Sequence, residues 1–168
     1  MIKIIDNFFN NKTFLNIQNH ITTKLYYTPV FFDETKEKNK QNYYGNRFFL
    51  INDQNLFDTF VKQAEKKFKI NIKKIGNDCA LDERNLDHFK PHKDPGAKIN
   101  VLIMLKGPTA VTNGTVFYTE GKLDIHVGFK ENRALLFPSN WVHSQHASNI
   151  PNLKRFTASL FIEDYEDV

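Results

Sequence analysis

The sequence contains a single cysteine, Cys79, among 168 residues. An internal disulfide and a zinc site with four cysteine ligands are therefore excluded, so a bound metal ion would need His, Asp or Glu ligands. No apolar run approaches the roughly 18 residues of a membrane span, and Asp6 interrupts the N-terminal apolar residues before they reach signal-peptide length. We therefore expect a soluble, intracellular (cytoplasmic) protein with no membrane partner.

The chain also lacks a basic block. Its net charge is +4, but the lysines are interleaved with Asp and Glu, so nucleic acid is not the expected partner. With 40% hydrophobic and 25% charged residues, the composition is that of a folded globular protein. The length predicts one domain over residues 1–168, with a support region at 1–76 and a core at 77–162.

Two amphipathic helices are predicted in the first half. Residues 13–24 carry Phe14, Ile17 and Ile21 at helical spacing, with Thr13 or Asn11 as N-cap. A second helix follows Asn52 or Asp53 and has an apolar stripe made by Phe57, Phe60, Val61, Ala64 and Phe68. Between them, residues 33–41 contain no apolar side chain and predict a surface loop.

From residue 70 onward, short apolar runs alternate with turn signals such as Asp94-Pro95-Gly96 and Asn113-Gly114. The predicted strands are 70–75, 77–81, 89–93, 99–105, 115–118, 123–127, 133–137, 143–147 and 155–162. Strands at this spacing after a helical N-terminal third predict a mainly β protein with α-helices, in which two antiparallel sheets face each other and the helices brace one outer face.

The segment around His92 and Asp94 carries the clearest chemical signal. Residues two apart on an extended strand face the same side, so this His-x-Asp pair offers an imidazole nitrogen and a carboxylate oxygen to one ion. His126, His143 and His146 are the candidates for a third ligand. Two His and one carboxylate on one face of an octahedron suit mononuclear non-haem Fe(II).

A second signal lies in the last predicted strand. Arg155, Thr157 and Ser159 share one face of it, and apolar residues share the other. A buried arginine on a largely apolar strand is costly unless an anion meets it, and a dicarboxylate would supply that anion.

The order His92-x-Asp94, His143, Arg155-x-Thr157 resembles the Fe(II)/2-oxoglutarate-dependent dioxygenases, nearest their prolyl-4-hydroxylase-like branch. Further matches are Phe89 before His92, the run Asn113-Gly114-Thr115-x-Phe117, Phe137-Pro138-Ser139 before the distal His, and the opening Ile4-Ile5-Asp6-Asn7-Phe8. The resemblance covers residues 79–162, about half of the chain. It implies a double-stranded β-helix, or jelly roll, which agrees with the strand pattern.

The resemblance also implies the site. His92, Asp94 and His143 would hold Fe(II), Arg155 would bind the distal carboxylate of 2-oxoglutarate, and Thr157 would add a hydroxyl donor. O2 would be the second cosubstrate, with succinate and CO2 as products.

Two departures from the family pattern leave alternatives. The interval from His143 to Arg155 is longer than usual, so either residues 148–153 hold an insertion or His146 is the ligand; the position after Phe137-Pro138-Ser139 favours His143. A tyrosine that often helps to bind 2-oxoglutarate is replaced by Met104. Asn100, which has the same strand parity, is either its substitute or a polar residue at the edge of the core.

We therefore predict a hydroxylase of the EC 1.14.11 type, acting on a peptidyl-prolyl group or a small molecule. Asp94 argues against halogenation, and Phe161 stands where nucleic-acid demethylases of this superfamily carry a second arginine. Substrate choice is expected in segments 33–47 and 106–112. The competing hypotheses are a non-catalytic jelly-roll module and a cupin-like metalloenzyme that does not use 2-oxoglutarate. His20, His88 and His126 are expected at the surface or in structural roles, and Cys79 in the core.

Overall fold

The computed structural model describes residues 1–32, 42–84, 90–147 and 154–168. The described elements are, in chain order, β1 Lys3–Ile5, α1 Asn11–Thr23, β2 Thr28–Phe32, β3 Asn42–Phe49, a 3-10 turn at Leu50–Asn52, α2 Gln54–Phe68, β4 Ile70–Ile75, β5 Ala80–Arg84, β6 Ile99–Lys106, β7 Asn113–Thr119, β8 Lys122–Gly128, β9 Arg133–Pro138, β10 His143–Ala147 and β11 Arg155–Asp167. Within these ranges, neither helix has the length and apolar character needed to cross a bilayer.

The strands form two antiparallel sheets. The larger sheet has the order β1-β9-β6-β11-β5-β3-β2, and β4 pairs with the second half of β11. The smaller sheet has the order β10-β7-β8. Mostly antiparallel strands in two facing sheets, with two helices, confirm the predicted jelly roll braced by N-terminal helices.

Strand alternation gives the larger sheet two different faces. Phe156, Ala158 and Leu160 of β11 point to the helix side and join the main core, which also contains Phe14 and Ile17 of α1 and Phe60 and Ala64 of α2. The face toward the smaller sheet has a second apolar cluster around Met104, Phe117 and Phe137. Polar residues occupy the same face farther along, and the cavity described below lies there.

Both helices begin at polar caps. Asp53 accepts a hydrogen bond from Leu56 N and caps α2, as predicted. The α1 cap is Asn10, which accepts from Thr13 N, and so the predicted caps Asn11 and Thr13 are wrong by one and three residues. Asn10, Asn11 and Thr13 are all good capping residues, so composition does not choose among them.

The strand prediction differs from the structure in four places. β5 spans Ala80–Arg84, where a strand at 77–81 was predicted. The predicted strand at 89–93 is not found among residues 90–93, of which only His92 forms a β-bridge, to His143. The predicted turn Asn113-Gly114 begins β7. The hairpin of β2 and β3, which extends the larger sheet next to β5, was not predicted. The predicted loop at 33–41, Phe89, His88 and the 148–153 insertion lie outside the described residues.

Candidate metal centre and adjoining arginine cavity

Three side chains predicted as ligands lie together between the sheets. Single ligand atoms of His92, Asp94 and His143 all fall within 4.8 Å of one another. Nε2 of His143 is 3.4 Å from Asp94 Oδ2, and Nε2 of His92 is 3.7 Å from Asp94 Oδ1. One divalent cation placed among these atoms could be bound by all three residues.

Backbone pairing holds the two histidines side by side. His92 N donates to His143 O and His143 N donates to His92 O, each over 2.9 Å, and Asp94 N donates to Ser139 O. The two imidazole centroids are 4.5 Å apart. This bridge explains how a His-x-Asp segment reaches a histidine some fifty residues later in the chain.

The ring orientation of both histidines is set by main-chain carbonyls. Nδ1 of His92 lies 3.0 Å from Lys90 O, and Nδ1 of His143 lies 2.9 Å from Trp141 O. Because a carbonyl oxygen can only accept, each Nδ1 donates a proton to it, and Nε2 is the ring nitrogen that faces Asp94. A second hydrogen bond of this kind is typical of metal-ligating histidines.

Electrostatics also favour a neutral ligand at His92. Burial, together with the neighbouring His143, lowers the pKa of His92 to about 4. The imidazole is therefore neutral near pH 7, which is the form that binds metals.

Asn100 contacts the carboxylate of this cluster. Its Nδ2 donates to Asp94 Oδ2 over 2.7 Å, so Asn100 orients Asp94. Its Oδ1 is buried without a hydrogen-bond partner among the described residues. Asn100 also lines the cavity, as its strand parity predicts, and its role toward a cosubstrate stays a prediction.

The cluster opens into a cavity of about 280 Å³, close to the lower end of small-molecule sites at about 300 Å³. Arg155, Thr157 and Ser159 line it from β11, with the parity predicted from sequence. His143, Ser144 and Gln145 line it from β10. The metal cluster and Arg155 thus share one cavity.

Arg155 is the largest fully buried side chain of the described residues, with 2% exposure. Its Nη1 donates to Asn113 Oδ1 and to Gly114 O, and its guanidinium lies 5.3 Å from the ring centroid of Phe129. Its Nε has no hydrogen-bond partner among the described residues. Burial lowers the pKa of Arg155 to about 9, and the charge of Asp82 opposes this only in part, so the cation is in an unfavourable environment without a further anion.

Sequence reasoning missed several residues of this cavity. Thr115 Oγ1 is buried there without a hydrogen-bond partner among the described residues, although its Asn-Gly-Thr-x-Phe run had been noted. Asp82 and Arg84 lie just beyond the strand predicted at 77–81, which corresponds to β5. Arg47 belongs to the segment expected to affect substrate choice, and it lines the cavity from β3.

The remaining histidines lie elsewhere. His146 faces away from the cluster, with its ring 5.6 Å from that of His126. His20 bonds to Asp53 at the start of α2, over 2.8 Å. Cys79 is buried in the main core, as expected, and burial raises the pKa of its thiol to about 12. Within the 106–112 segment, Gly107 packs against Arg155 and Phe129, behind the cavity.

Comparisons with known proteins give a fold. No family model and no curated protein sequence matches the chain. Among solved structures, it is similar to SnoN, a non-heme alpha-ketoglutarate-dependent epimerase from nogalamycin biosynthesis, with a TM-score of 0.64 and 10% identity over 99% of this chain and 77% of that one. It is also similar to a Pseudomonas putida prolyl-4-hydroxylase, with a TM-score of 0.63 and 10% identity over 97% and 92%. The chain therefore has the jelly-roll fold of 2-oxoglutarate-dependent oxygenases.

Proposed function

We propose that this protein is an Fe(II)- and 2-oxoglutarate-dependent oxygenase, and specifically a hydroxylase. The observation that carries the proposal is the placement of a buried arginine in the same cavity as a His-Asp-His cluster. Two imidazoles and one carboxylate are a donor set that suits Fe(II) and leaves coordination positions for other ligands. A buried guanidinium without a bound anion is costly, and a dicarboxylate removes that cost.

The cavity residues fit both groups. His92, Asp94 and His143 would hold the iron, and Arg155 would bind the distal carboxylate of 2-oxoglutarate through its planar fork. Two of the buried polar atoms that have no partner among the described residues, Arg155 Nε and Thr115 Oγ1, belong to side chains that line the same space, and Thr157 adds a hydroxyl. These atoms are what a bound dicarboxylate would satisfy.

Bound Fe(II) would supply the redox chemistry that couples O2-dependent decarboxylation of 2-oxoglutarate, giving succinate and CO2, to oxidation of a substrate C–H bond. The protein's residues position the reactants. Asn100 fixes the Asp94 carboxylate, the carbonyls of Lys90 and Trp141 fix the imidazoles, and Phe137 of the second apolar cluster lines the cavity beside them.

Two histidines of β10 provide a matched test. His143 faces the cavity, and His146, three residues later, faces away from it. We expect His143→Ala to abolish both succinate formation from 2-oxoglutarate and the weak visible band that Fe(II) and 2-oxoglutarate give together without oxygen. His146→Ala should retain both signals.

Other results would overturn the proposal. Unchanged succinate release in His143→Ala, or in His92→Ala, would exclude this site as the metal centre. No visible band in the wild-type protein under anaerobic conditions would favour a non-catalytic jelly-roll module. A metal-dependent activity whose affinity for 2-oxoglutarate does not change in Arg155→Ala would favour a cupin-like metalloenzyme.

A further inference from the structure

The cavity is lined by three of the four arginines in the chain, Arg47, Arg84 and Arg155. The other 19 of the 23 basic residues are lysines, and none of these is among the described residues that line the cavity. Arginine differs from lysine in its planar fork, which binds a carboxylate through two parallel hydrogen bonds. This selective use of arginine indicates more than one carboxylate in the cavity.

Arg84 lies directly opposite Arg155 in the register of β5 and β11. Both side chains line the cavity, and like charges at directly opposite positions destabilise a sheet. Arg155 is one of the charges that lower the pKa of Arg84, after burial. An arrangement of this kind is stabilised when anions occupy the space between and beside the two guanidiniums.

Asp82 is the carboxylate of the protein that bonds to both Arg47 and Arg84. Arg47 binds it through two bonds, Nε to Oδ1 at 2.7 Å and Nη2 to Oδ2 at 3.2 Å. Arg84 Nη2 shares Oδ2 at 2.9 Å, and its Nη1 reaches across to Gln145 Oε1 on β10 at 3.4 Å. Asp82 is 2% exposed, and so it is a fixed internal counterion shared by two cations.

The proposed reactants do not use Arg84. Fe(II), Asp94, the two carboxylates of 2-oxoglutarate and Arg155 cancel one another in charge. Arg47 and Arg84, bonded to Asp82, form a second charged group in the same cavity. Asp78 also lines the cavity, but it is exposed and lies beside Gly76, which bonds to Phe161 at the other end of the β11 face.

Arg84 shares the cavity with the metal cluster. It lines the cavity from β5, opposite Arg155, and its Nη1 reaches Gln145 of β10, two residues after His143. A compound bound at Arg84 would therefore lie in the same space as the metal ligands and the proposed 2-oxoglutarate site.

We propose that Arg84, held by Asp82 and supported by Arg47, binds a carboxylate of the prime substrate, which is a small carboxylic acid. The inference rests on the proposed function, because it assigns Arg155 to 2-oxoglutarate. A small molecule is favoured because the cavity of about 280 Å³ must hold the cosubstrate as well. Arg84 then determines which compounds enter and how they are oriented toward the metal.

The test uses the four arginine Nε–H signals in an NMR spectrum of the Zn(II)-loaded protein, each assigned from a single Arg→Lys variant. 2-Oxoglutarate is added first, followed by acetate as the minimal carboxylate probe and acetamide as its neutral control. We expect 2-oxoglutarate to move the Arg155 signal. Acetate should then move the Arg84 signal with saturation in roughly the 1–10 mM range. Arg133, which pairs with Asp6 away from the cavity, is the internal control.

Variants separate this inference from the proposed function. Arg84→Gln should abolish saturable acetate binding and leave the response of Arg155 to 2-oxoglutarate in place, and Arg84→Lys serves if the Gln variant does not fold. A stationary Arg84 signal with acetate, an equal response to acetamide, or competition between acetate and 2-oxoglutarate would overturn the inference. A stationary Arg155 signal with 2-oxoglutarate would instead contradict the proposed function.

Discussion

Replacing Arg155 with Met should separate ligand binding from folding. In the ligand-free protein, the substitution removes a buried cation that Asp82 compensates only in part, and the desolvation cost thereby relieved is several kcal/mol. It also leaves Asn113 Oδ1 and Gly114 O without their donor, at about 1–3 kcal/mol each. These effects oppose one another, so we expect the ligand-free free energy of unfolding to change by less than about 2 kcal/mol.

The effect on cosubstrate binding should be much larger. Truncating one partner of a buried, hydrogen-bonded charge pair costs about 2–5 kcal/mol, which corresponds to a roughly 30- to 5,000-fold weaker Kd for 2-oxoglutarate. At 100 times the wild-type Kd, the ligand stabilises the wild-type protein by about 2.7 kcal/mol. A 100-fold weaker Kd reduces that stabilisation to about 0.4 kcal/mol.

Thermal unfolding of the Zn(II)-loaded protein with and without 2-oxoglutarate measures this difference. For a chain of this size, 1 kcal/mol shifts Tm by about 2–4 °C. The wild-type shift should be about 5–11 °C, and that of Arg155→Met about 1–2 °C. Arg155→Lys, which keeps the charge but loses the fork, should fall between them.

The reasoning is refuted by the opposite pattern. If Arg155→Met retains the wild-type shift and loses more than about 4 kcal/mol of ligand-free stability, then Arg155 is part of a compensated structural ion pair. The cavity would then need another explanation for its unsatisfied polar atoms.

Two further predictions concern the supports of the site. Gly114→Ala should lower the free energy of unfolding by about 1–3 kcal/mol, because a Cβ there would lie 2.3 Å from Val127 O. It should also weaken 2-oxoglutarate binding, because Gly114 O accepts a hydrogen bond from Arg155. Gly128→Ala, where a Cβ would meet open space, is the matched control. Asp6→Asn should lower the free energy of unfolding by about 1 kcal/mol at pH 6, measured by urea titration. Arg133 and Lys130 lower the pKa of Asp6 to about 2, and the gain is limited because the Asp6–Arg133 ion pair is partly exposed. This stability is present above pH 3.8 and lost as pH falls toward 2, so a wild-type advantage that persisted at pH 2 would contradict the assignment.

The sequence predicted the parts of the site that depend on local periodicity. Alternation along β11 placed Arg155, Thr157 and Ser159 on one face without knowledge of the neighbouring strands. The same rule put His92 and Asp94 on one side of an extended segment, and it separated His143 from His146. The predictions for β10 and β11 hold in the structure because strand parity does not depend on tertiary contacts. His92 and Asp94 also lie together, although the segment that carries them is not a strand and only His92 forms a bridge.

The group formed by Arg47, Asp82 and Arg84 could not be predicted in this way. Asp82, Glu83 and Arg84 resemble the polar end of a strand, so the sequence predicts that the strand corresponding to β5 ends at residue 81. In the structure they are interior positions, since β3 pairs on one side at Asp82 and β11 on the other at both Asp82 and Arg84. The β3 segment was itself missed, because it follows the polar stretch 33–41. Burial of these charged residues thus depends on pairing between strands far apart in sequence.

The ratio of arginine to lysine nevertheless carries information that net charge does not. In a chain with four arginines and 19 lysines, lysine serves wherever a single charge is enough, as in the exposed pairs Lys98–Asp164 and Lys73–Glu166. Outside the cavity, Arg133 uses its fork on both carboxylate oxygens of Asp6. Inside it, Arg47 does the same on Asp82. In these two pairs arginine marks a position where a carboxylate is bound through two hydrogen bonds, and by the same reasoning Arg155 marks where a carboxylate from outside the chain would bind.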